Sequence, residues 1–427
     1  MSLNNTPSSD RVHIGIFGKR NVGKSSLINA ITGQEIAIVS SEKGTTTDPV
    51  YKSMELLPLG PVVIIDTAGI DDIGELGALR VKKSIQILNK TDIAILVVDP
   101  NYPISDVETE LIQNFKEKNI PYIIVANKLD VYSGEKNPDY IYVSSNTKEG
   151  INELKELIAK KANTSEPKYP IVKDLIAPHD FIVLVIPIDD AAPKGRLILP
   201  QQQTIRDILD ADAVSIVVKE YELSNLLSEL PKKPKMVICD SQVFSKVSKD
   251  TPDDILLTSF SILFARHKGN LKKLIEGVKT VDKLQDGDTV LISEGCTHHR
   301  QCGDIGTYKI PKWLFEYTGK KINIETTSGT EFPQDLSKYK LIIHCGGCML
   351  NEKEMKSRIS SANKQNIPVV NYGIFIAFVN GILKRSLMPF PKILEILDDN
   401  FIWWPLDVKY LNTRHKIDTY KLKISCY

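Results

Sequence analysis

The stretch Arg11-Val12-His13-Ile14-Gly15-Ile16-Phe17-Gly18-Lys19-Arg20-Asn21-Val22-Gly23-Lys24-Ser25 runs an apolar strand pattern straight into the spacing G-x-x-x-x-G-K-[ST]. Each residue type answers a chemical need. Gly18 and Gly23, with Asn21 and Val22 between them, let backbone N–H groups close around phosphate oxygens. Lys24 reaches the outer phosphates, and the Ser25 hydroxyl can ligate Mg²⁺. The helical run Ser26-Leu27-Ile28-Asn29-Ala30-Ile31 follows, with its positive end toward the same anion. A strand, a phosphate-holding turn and a helix predict an α/β domain that binds a nucleoside triphosphate.

Three further segments narrow the nucleotide. Asp66-Thr67-Ala68-Gly69 closes the strand Val62-Val63-Ile64-Ile65, which puts a carboxylate at the Mg²⁺ shell and a glycine N–H at the γ-phosphate. Asn127-Lys128-Leu129-Asp130 closes Tyr122-Ile123-Ile124-Val125. The Asp130 carboxylate can accept two N–H bonds from a guanine edge, which adenine does not offer. This segment resembles the base-reading motif of translation-factor-type GTPases. Ser144-Ser145-Asn146, after Tyr140-Ile141-Tyr142-Val143, resembles a variant of the loop that backs the base. GTP and GDP with Mg²⁺ are therefore the expected ligands.

Ile70 follows Gly69, where Ras-type enzymes carry the glutamine that positions the attacking water, so hydrolysis needs another source of charge stabilisation. Asn21, together with Gly44-Thr45-Thr46-Thr47-Asp48, resembles the GTPases related to the tRNA-modification protein TrmE. That resemblance implies a K⁺ ion held with the help of Asn21, Mg²⁺ held by Ser25 and Thr46, and K⁺-stimulated hydrolysis. Lys24, Thr46, Asp66 and Gly69 are the residues expected to carry turnover.

With 427 residues the chain can bury several cores, and its formal net charge of +1 supplies no basic field for nucleic acid. Basic runs such as Lys232-Lys233-Pro234-Lys235 are short and broken by proline. The segment Met1 to Arg11 lacks the apolar core of a signal peptide, and the longest apolar stretch, Phe181 to Ile188, falls well short of the roughly 20 residues that span a bilayer. The expectation is a cytoplasmic protein with no membrane and no nucleic-acid partner. Strand and helix patterns alternate to about Ala162, and the polar, proline-bearing run Asn163 to Pro170 reads as a linker. Alternation then restarts. Strand-like runs are expected at Phe181–Ile188, Arg196–Leu199, Ala213–Val218, Lys235–Cys239 and Ile255–Phe260. A third set begins near Asp286, with strands at Thr289–Ser293, Ile322–Thr327, Leu341–His344 and Val369–Tyr372 and a helix over Ile374–Arg385.

Six cysteines are too few for a secreted disulfide framework, and four of them fall between residues 296 and 348. Cys296-Thr297-His298-His299 and His344-Cys345-Gly346-Gly347-Cys348 each follow a strand pattern, which places both at strand C-terminal ends, where open α/β sheets bind ligands. Two readings stand on this chemistry. One is a structural zinc on Cys296, Cys345 and Cys348 with His298 or His344. The other is an iron–sulfur cluster on three thiolates whose fourth iron has an exchangeable ligand. The expected fold class is thus α/β: an N-terminal P-loop GTPase domain with a doubly wound sheet (1–165), then two smaller α/β domains (172–268 and 269–427), the last carrying a metal-cluster site.

A GTPase domain with Asn21, a second α/β domain containing Asp189-Asp190-Ala191-Ala192-Pro193-Lys194-Gly195-Arg196, and then C-T-H and H-C-G-G-C, resembles the FeFe-hydrogenase maturation GTPases of the HydF family over essentially the whole chain. The resemblance implies a scaffold and carrier, with a chaperone's role toward its cargo. A 4Fe-4S cluster sits on Cys296, Cys345 and Cys348, and a di-iron subcluster precursor arrives from two radical-SAM maturases and leaves for apo FeFe-hydrogenase. The middle domain mediates dimerisation, so the form is a homodimer or higher oligomer. His298 and His344 match the family's histidines, and a carboxylate such as Asp189 is a further candidate for the fourth iron.

Cys239 reads as core, Cys302 as a spare, Cys426 as incidental, Trp403-Trp404-Pro405 as packing, and Arg80 with Lys82-Lys83 as a solvated helix face. The alternative is a TrmE/Era-like GTPase that acts on RNA and carries a structural zinc in its C-terminal domain.

Overall fold

A computed structural model describes residues 6–33, 49–70, 83–162, 169–188, 197–295, 304–329 and 331–398. The N-terminal part holds β1 (Val12–Phe17), α1 (Lys24–Thr32), β2 (Val50–Leu56), β3 (Gly60–Asp66), a helix α2 over 83–88, β4 (Ile93–Val98), α3 (Asp106–Glu117), β5 (Tyr122–Ala126), β6 (Tyr140–Tyr142) and α4 (Ile151–Ala162). The sheet order is β2-β3-β1-β4-β5-β6, with every pair parallel except β2 with β3. Both faces are covered. Ile14, Ile16, Ile95 and Val97 pack with Leu27 and Ile28 of α1 and Leu154 and Ile158 of α4, while Ala94, Leu96 and Ile65 pack with Leu111 and Phe115 of α3. Burial on both sides is why these strands read as unbroken apolar runs.

The next sheet is built from β7 (Phe181–Val185), α5 (Leu199–Leu209), β8 (Val214–Val218), α6 (Leu223–Glu229), β9 (Met236–Cys239), α7 (Phe244–Asp250), β10 (Leu256–Ser259) and α8 (Phe260–Lys268), in the order β10-β9-β7-β8, all parallel. After α9 (Leu271–Val278), β11 (Thr289–Ser293), a π-helical turn Ile305–Lys309 leading into α10 (Ile310–Thr318), β12 (Asn323–Thr327), β13 (Leu341–His344), α11 (Glu352–Lys364) and β14 (Val369–Asn371) form a third parallel sheet, β12-β11-β13-β14. Helices α12 (Tyr372–Val379), α13 (Leu383–Ser386) and α14 (Pro391–Asp398) complete it. One buried cluster runs without interruption through the second and third sheets, so these two units share a core that the first sheet does not enter.

Two sequence readings are corrected. Of the strand expected at Arg196–Leu199, the described residues 197–199 form none: Leu199 opens α5, with Pro200 in its first turn, where a missing N–H costs nothing. A short apolar run does not distinguish strand from helix by period alone. The single helix expected over Ile374–Arg385 is instead α12 and α13, divided at Gly381, whose φ of 70° ends the first helix in the left-handed region. Cys239 is fully buried in β9, as a core cysteine should be.

Candidate functional site: a nucleotide pocket and a cysteine loop

The phosphate loop leaves β1 through Gly18 (φ 146°), Asn21 (φ 60°) and Gly23 (φ 89°) and enters α1 at Lys24. A Cβ on Gly18 would stand 2.3 Å from the Val97 carbonyl, so only glycine lets the chain pass there. Lys24 is buried and its ammonium donates to the carbonyls of Gly18 at 2.9 Å and Lys19 at 2.6 Å, bonds it can exchange for phosphate oxygens. The Ser25 hydroxyl donates to Asp66 Oδ2 at 3.2 Å. The other oxygen of Asp66, Oδ1, is buried with no hydrogen-bond partner. Burial raises the Asp66 carboxyl above its usual range, against the opposing pull of Lys24 and the Ser25 hydroxyl. A hydroxyl beside an orphaned carboxylate oxygen is a donor set that fits hydrated Mg²⁺, whose charge would favour the ionised carboxylate.

Gly69 lies against the loop: a Cβ there would meet the Arg20 backbone N at 3.0 Å. Ile70 is buried among Phe17, Ile87 and Leu111, so the residue after Gly69 serves the core and cannot orient water.

Asn127, 2% exposed, ties the pocket together. Its Nδ2 donates to the Val22 carbonyl at 3.0 Å, and its Oδ1 accepts from Ser145 N at 3.1 Å and Ser145 Oγ at 2.8 Å. Asp130 is exposed; its Oδ1 accepts from Ser144 Oγ at 2.7 Å, and that bond holds the carboxyl below its usual range. Lys128, in the left-handed region, donates to Asp99 Oδ2 at 2.8 Å. Asp99 lies outside every motif of the sequence. Burial pushes its carboxyl up, and hydrogen bonds from Lys128 and Asn101 more than reverse that, leaving it lowered.

At the third sheet the register sets Ser293 opposite both Thr327 and His344, and His344 opposite Asn371, so the four strands end on one polar row. The order β12-β11-β13-β14 reverses direction between β11 and β13, and the cysteine loop leaves β13 at that switch point. Cys345 Sγ accepts N–H bonds from Gly295 at 3.0 Å and Gly347 at 3.4 Å; Gly347 turns the loop at φ 61°. Neither Cys345 nor Cys348 is in a disulfide, and both are half-buried.

His344 is 2% exposed and both its ring nitrogens are engaged. Nδ1 meets the Cys345 carbonyl at 2.8 Å and must donate to it; Nε2 therefore accepts from Arg358 at 3.2 Å. Arg358 also donates to the Gly329 carbonyl and to Glu354, each at 2.8 Å. The Tyr372 hydroxyl stands 3.3 Å from Glu294 Oε1. Burial drives it well above the usual tyrosine range, and negative charge on Cys345, Glu294 and Asp304 adds to the shift. Glu294, absent from the sequence reading, is thus brought to the same strand ends as Cys345.

Among the described residues no three His, Cys, Asp or Glu side chains gather at metal-ligand spacing. Thr46, Asp189, Cys296, His298, Cys302, Arg80, Lys82, Trp403-Trp404-Pro405 and Cys426 lie outside the described residues. The described part of the cysteine site, two cysteines outside any disulfide with N–H donors aimed at one sulfur, fits a thiolate-held iron–sulfur group.

Residues 13–128 match the family described as 50S ribosome-binding GTPase. Residues 171–269 match the hydrogen maturase F dimerization domain and residues 272–389 the hydrogen maturase F tetramerization domain, together just over half of the chain. The chain belongs to the hydrogen maturase F family. As such it is an oligomer-forming protein with a GTPase domain at its N-terminal end.

This hydrogen maturase F family member is 39% identical over 127 residues to the GTPase Der of Wolinella succinogenes, covering 29% of this chain and 27% of that one. It is 34% identical over 163 residues to the tRNA modification GTPase MnmE of Aquifex aeolicus (36% and 35%), and 30% identical over 184 residues to the GTPase Era of Carboxydothermus hydrogenoformans (40% and 61%). It therefore spans about a quarter to three fifths of the length of these curated relatives. Among solved structures, Aquifex aeolicus Era bound to GDP and AlF4⁻ aligns at 22% identity and a TM-score of 0.33, over 48% of this chain and 92% of that one.

Asp130→Asn replaces one carboxylate oxygen with an N–H donor on the residue that the sequence assigns to the base edge. Guanine nucleotide affinity is expected to fall by about 10- to 100-fold, the worth of a charge-assisted hydrogen bond of about 1.5–3 kcal/mol. Xanthosine nucleotides, which present an oxygen there, should bind better than to the unaltered protein. Titration with fluorescent nucleotide analogues reads both.

Proposed function

We propose that this chain is a GTP-hydrolysing scaffold of FeFe-hydrogenase maturation. It binds a 4Fe-4S cluster through Cys296, Cys345 and Cys348, and carries a di-iron subcluster precursor from radical-SAM maturases to apo-hydrogenase in the cytoplasm. The observation that carries the reading is Cys345 at a topological switch point, its sulfur receiving N–H bonds from Gly295 and Gly347. Such bonds favour a thiolate over a thiol, and Gly295 adjoins Cys296, so the same backbone serves both expected ligands.

When bound, the cluster supplies an iron site for exchange of an external ligand. The chain's own residues shape its surroundings. His344, with both nitrogens engaged, orients the Cys345 carbonyl and so the loop, which favours a carboxylate or an exchangeable ligand over His344 at the fourth iron. Glu294 joins Asp189 and His298 as a candidate there, on the strength of its Tyr372 contact.

In the nucleotide pocket Lys24 and the loop N–H groups hold the phosphates, while Ser25, Thr46 and Asp66 hold Mg²⁺. Water attacks the γ-phosphorus, the bridging bond to GDP breaks, and inorganic phosphate leaves. Because Ile70 is buried, the added positive charge is assigned to K⁺ with Asn21 as a ligand, Asn21 being exposed on the loop in the left-handed region.

Dimerisation is assigned to the β8 edge of the second sheet. Among the described residues that strand has no neighbour on its outer side, and it leaves Val217 45% exposed and Val214 40% exposed. A two-fold axis through it would pair two β8 strands antiparallel and bury the valines.

Three outcomes test this reading. Lys24→Ala should lower GTP turnover by about 100-fold or more and leave iron and sulfide unchanged, whereas Cys345→Ser should lose the cluster and retain turnover; phosphate release, metal analysis and EPR of the reduced protein separate the two. Replacing K⁺ by Na⁺ should slow phosphate release in the unaltered protein, and Asn21→Ala should abolish that difference. Val217→Asp should halve the mass of the smallest stable oligomer by light scattering; an unchanged mass would place the interface elsewhere.

A further inference from the structure

Asp99 is the first residue past β4, and Lys128 is the second past β5. Val98 and Ala126 face each other in the parallel register, and the Asn127 N–H donates to the Val98 carbonyl at 3.0 Å, so the two chains leave the sheet side by side. The sheet order changes direction between β1 and β4. Asp99 therefore stands at the crevice where a doubly wound sheet binds its ligand, beside the phosphate loop that leaves β1. A carboxylate is an unexpected group at the mouth of a pocket for a polyanion, and its contacts account for it.

Asp99 Oδ1 accepts from Asn101 N at 3.1 Å and Asn101 Nδ2 at 2.9 Å, and the Asp99 carbonyl accepts from Tyr102 N at 3.1 Å. Farther along, Ser105 and Glu108 close a capping box at the start of α3. The segment is fixed at both ends, and Oδ2 accepts from the Lys128 ammonium at 2.8 Å. The Asp99 side chain is 12% exposed and that of Lys128 37%. A long side chain with that much access to water samples many rotamers, and ordering it when a ligand arrives subtracts from affinity. Here a charge-assisted bond to an immobile carboxylate has ordered it beforehand. Lys128 lies between Asn127, which ties the phosphate loop to the base-side loop, and Asp130, which the sequence assigns to the base edge.

We propose that Asp99 is a positioning residue for guanine-nucleotide binding, which holds Lys128 in place on the base side of the pocket before the nucleotide arrives. The proposal rests on the base-side placement of residues 127–130 and is independent of the cysteine site.

Two roles for Asp99 differ in sign. As an anion acting through space it repels phosphates, so its removal would tighten binding, and GTP would gain more than GDP. As an anchor for Lys128 its removal weakens both nucleotides equally, because base and ribose are common to the two.

The test measures release of fluorescent GDP and GTP analogues by stopped flow, with steady-state phosphate release, on the full chain. It compares the unaltered protein with Asp99→Asn, which keeps the shape and loses the charge, Asp99→Glu, which keeps the charge, Lys128→Met, which keeps the stem and loses the ammonium, and the double variant Asp99→Asn with Lys128→Met. Asp99→Asn should release both nucleotides about tenfold faster and raise KM by a similar factor with kcat unchanged. Asp99→Glu should fall closer to the unaltered protein than Asp99→Asn does. The double variant should be no worse than Lys128→Met alone, since the two side chains act as one unit. Tighter binding in Asp99→Asn, a change confined to GTP, or effects that simply multiply in the double variant would overturn the proposal. Failure of Asp99→Asn to fold while Lys128→Met folds and releases nucleotide at the unaltered rate would overturn it in favour of a stability role. An unchanged guanine preference in Asp130→Asn would overturn the base-side placement, and this inference with it.

Discussion

Parallel pairing of β11 with β13, in the register that sets Ser293 opposite His344, is the constraint on which the cysteine site depends. In a parallel sheet every strand ends on the same side, so segments far apart in sequence emerge together. Gly295 and Cys345, 50 positions apart, meet as donor and acceptor because each lies just past a paired strand end. The same logic serves the nucleotide pocket. Ile16 pairs with Asp66, which carries that carboxylate to the mouth of the phosphate loop.

Around both sites, apart from the orphaned Asp66 Oδ1, several buried polar groups are held by partners that also fix geometry. Asn127 joins the phosphate loop to the base-side loop through Val22 and Ser145, so a disturbance at one is felt at the other. At the cysteine loop His344, Arg358 and Lys268 do comparable work. The loop then runs into Asn351, whose Oδ1 caps α11 by accepting from Glu354 N and whose Nδ2 donates to the Lys90 carbonyl, just beyond α2. Through that residue the cysteine loop touches the nucleotide-binding domain on a side chain that is itself buried.

A good deal of this was legible in advance. The phosphate loop, the Asp66 and Asn127 segments and the strands ending at Ser293 and His344 are each strings of adjacent residues whose spacing is set by local geometry, so reading them in order was sufficient. The misreadings were local as well. Leu197-Ile198-Leu199 is too short for its period to distinguish strand from helix, and the apolar run around Gly381 hides a helix break that only its φ of 70° reveals.

Sequence by itself determined the alternation of strand and helix, the nucleotide motifs and the presence of a C-x-x-C loop after a strand, because those depend on periodicity and on chemistry carried by neighbouring residues. Only the tertiary structure decided that Asp99 steadies Lys128, that Glu294 meets Tyr372, that both nitrogens of His344 are engaged, and that Lys268 lies buried beneath the cysteine loop. Those partners are separated by 14 to 82 positions, apart from the neighbouring Cys345 carbonyl that His344 also meets. Nothing in the local pattern of a lysine at the end of one helix states which loop will fold over it. Burial of that side chain arises only when separate segments pack together.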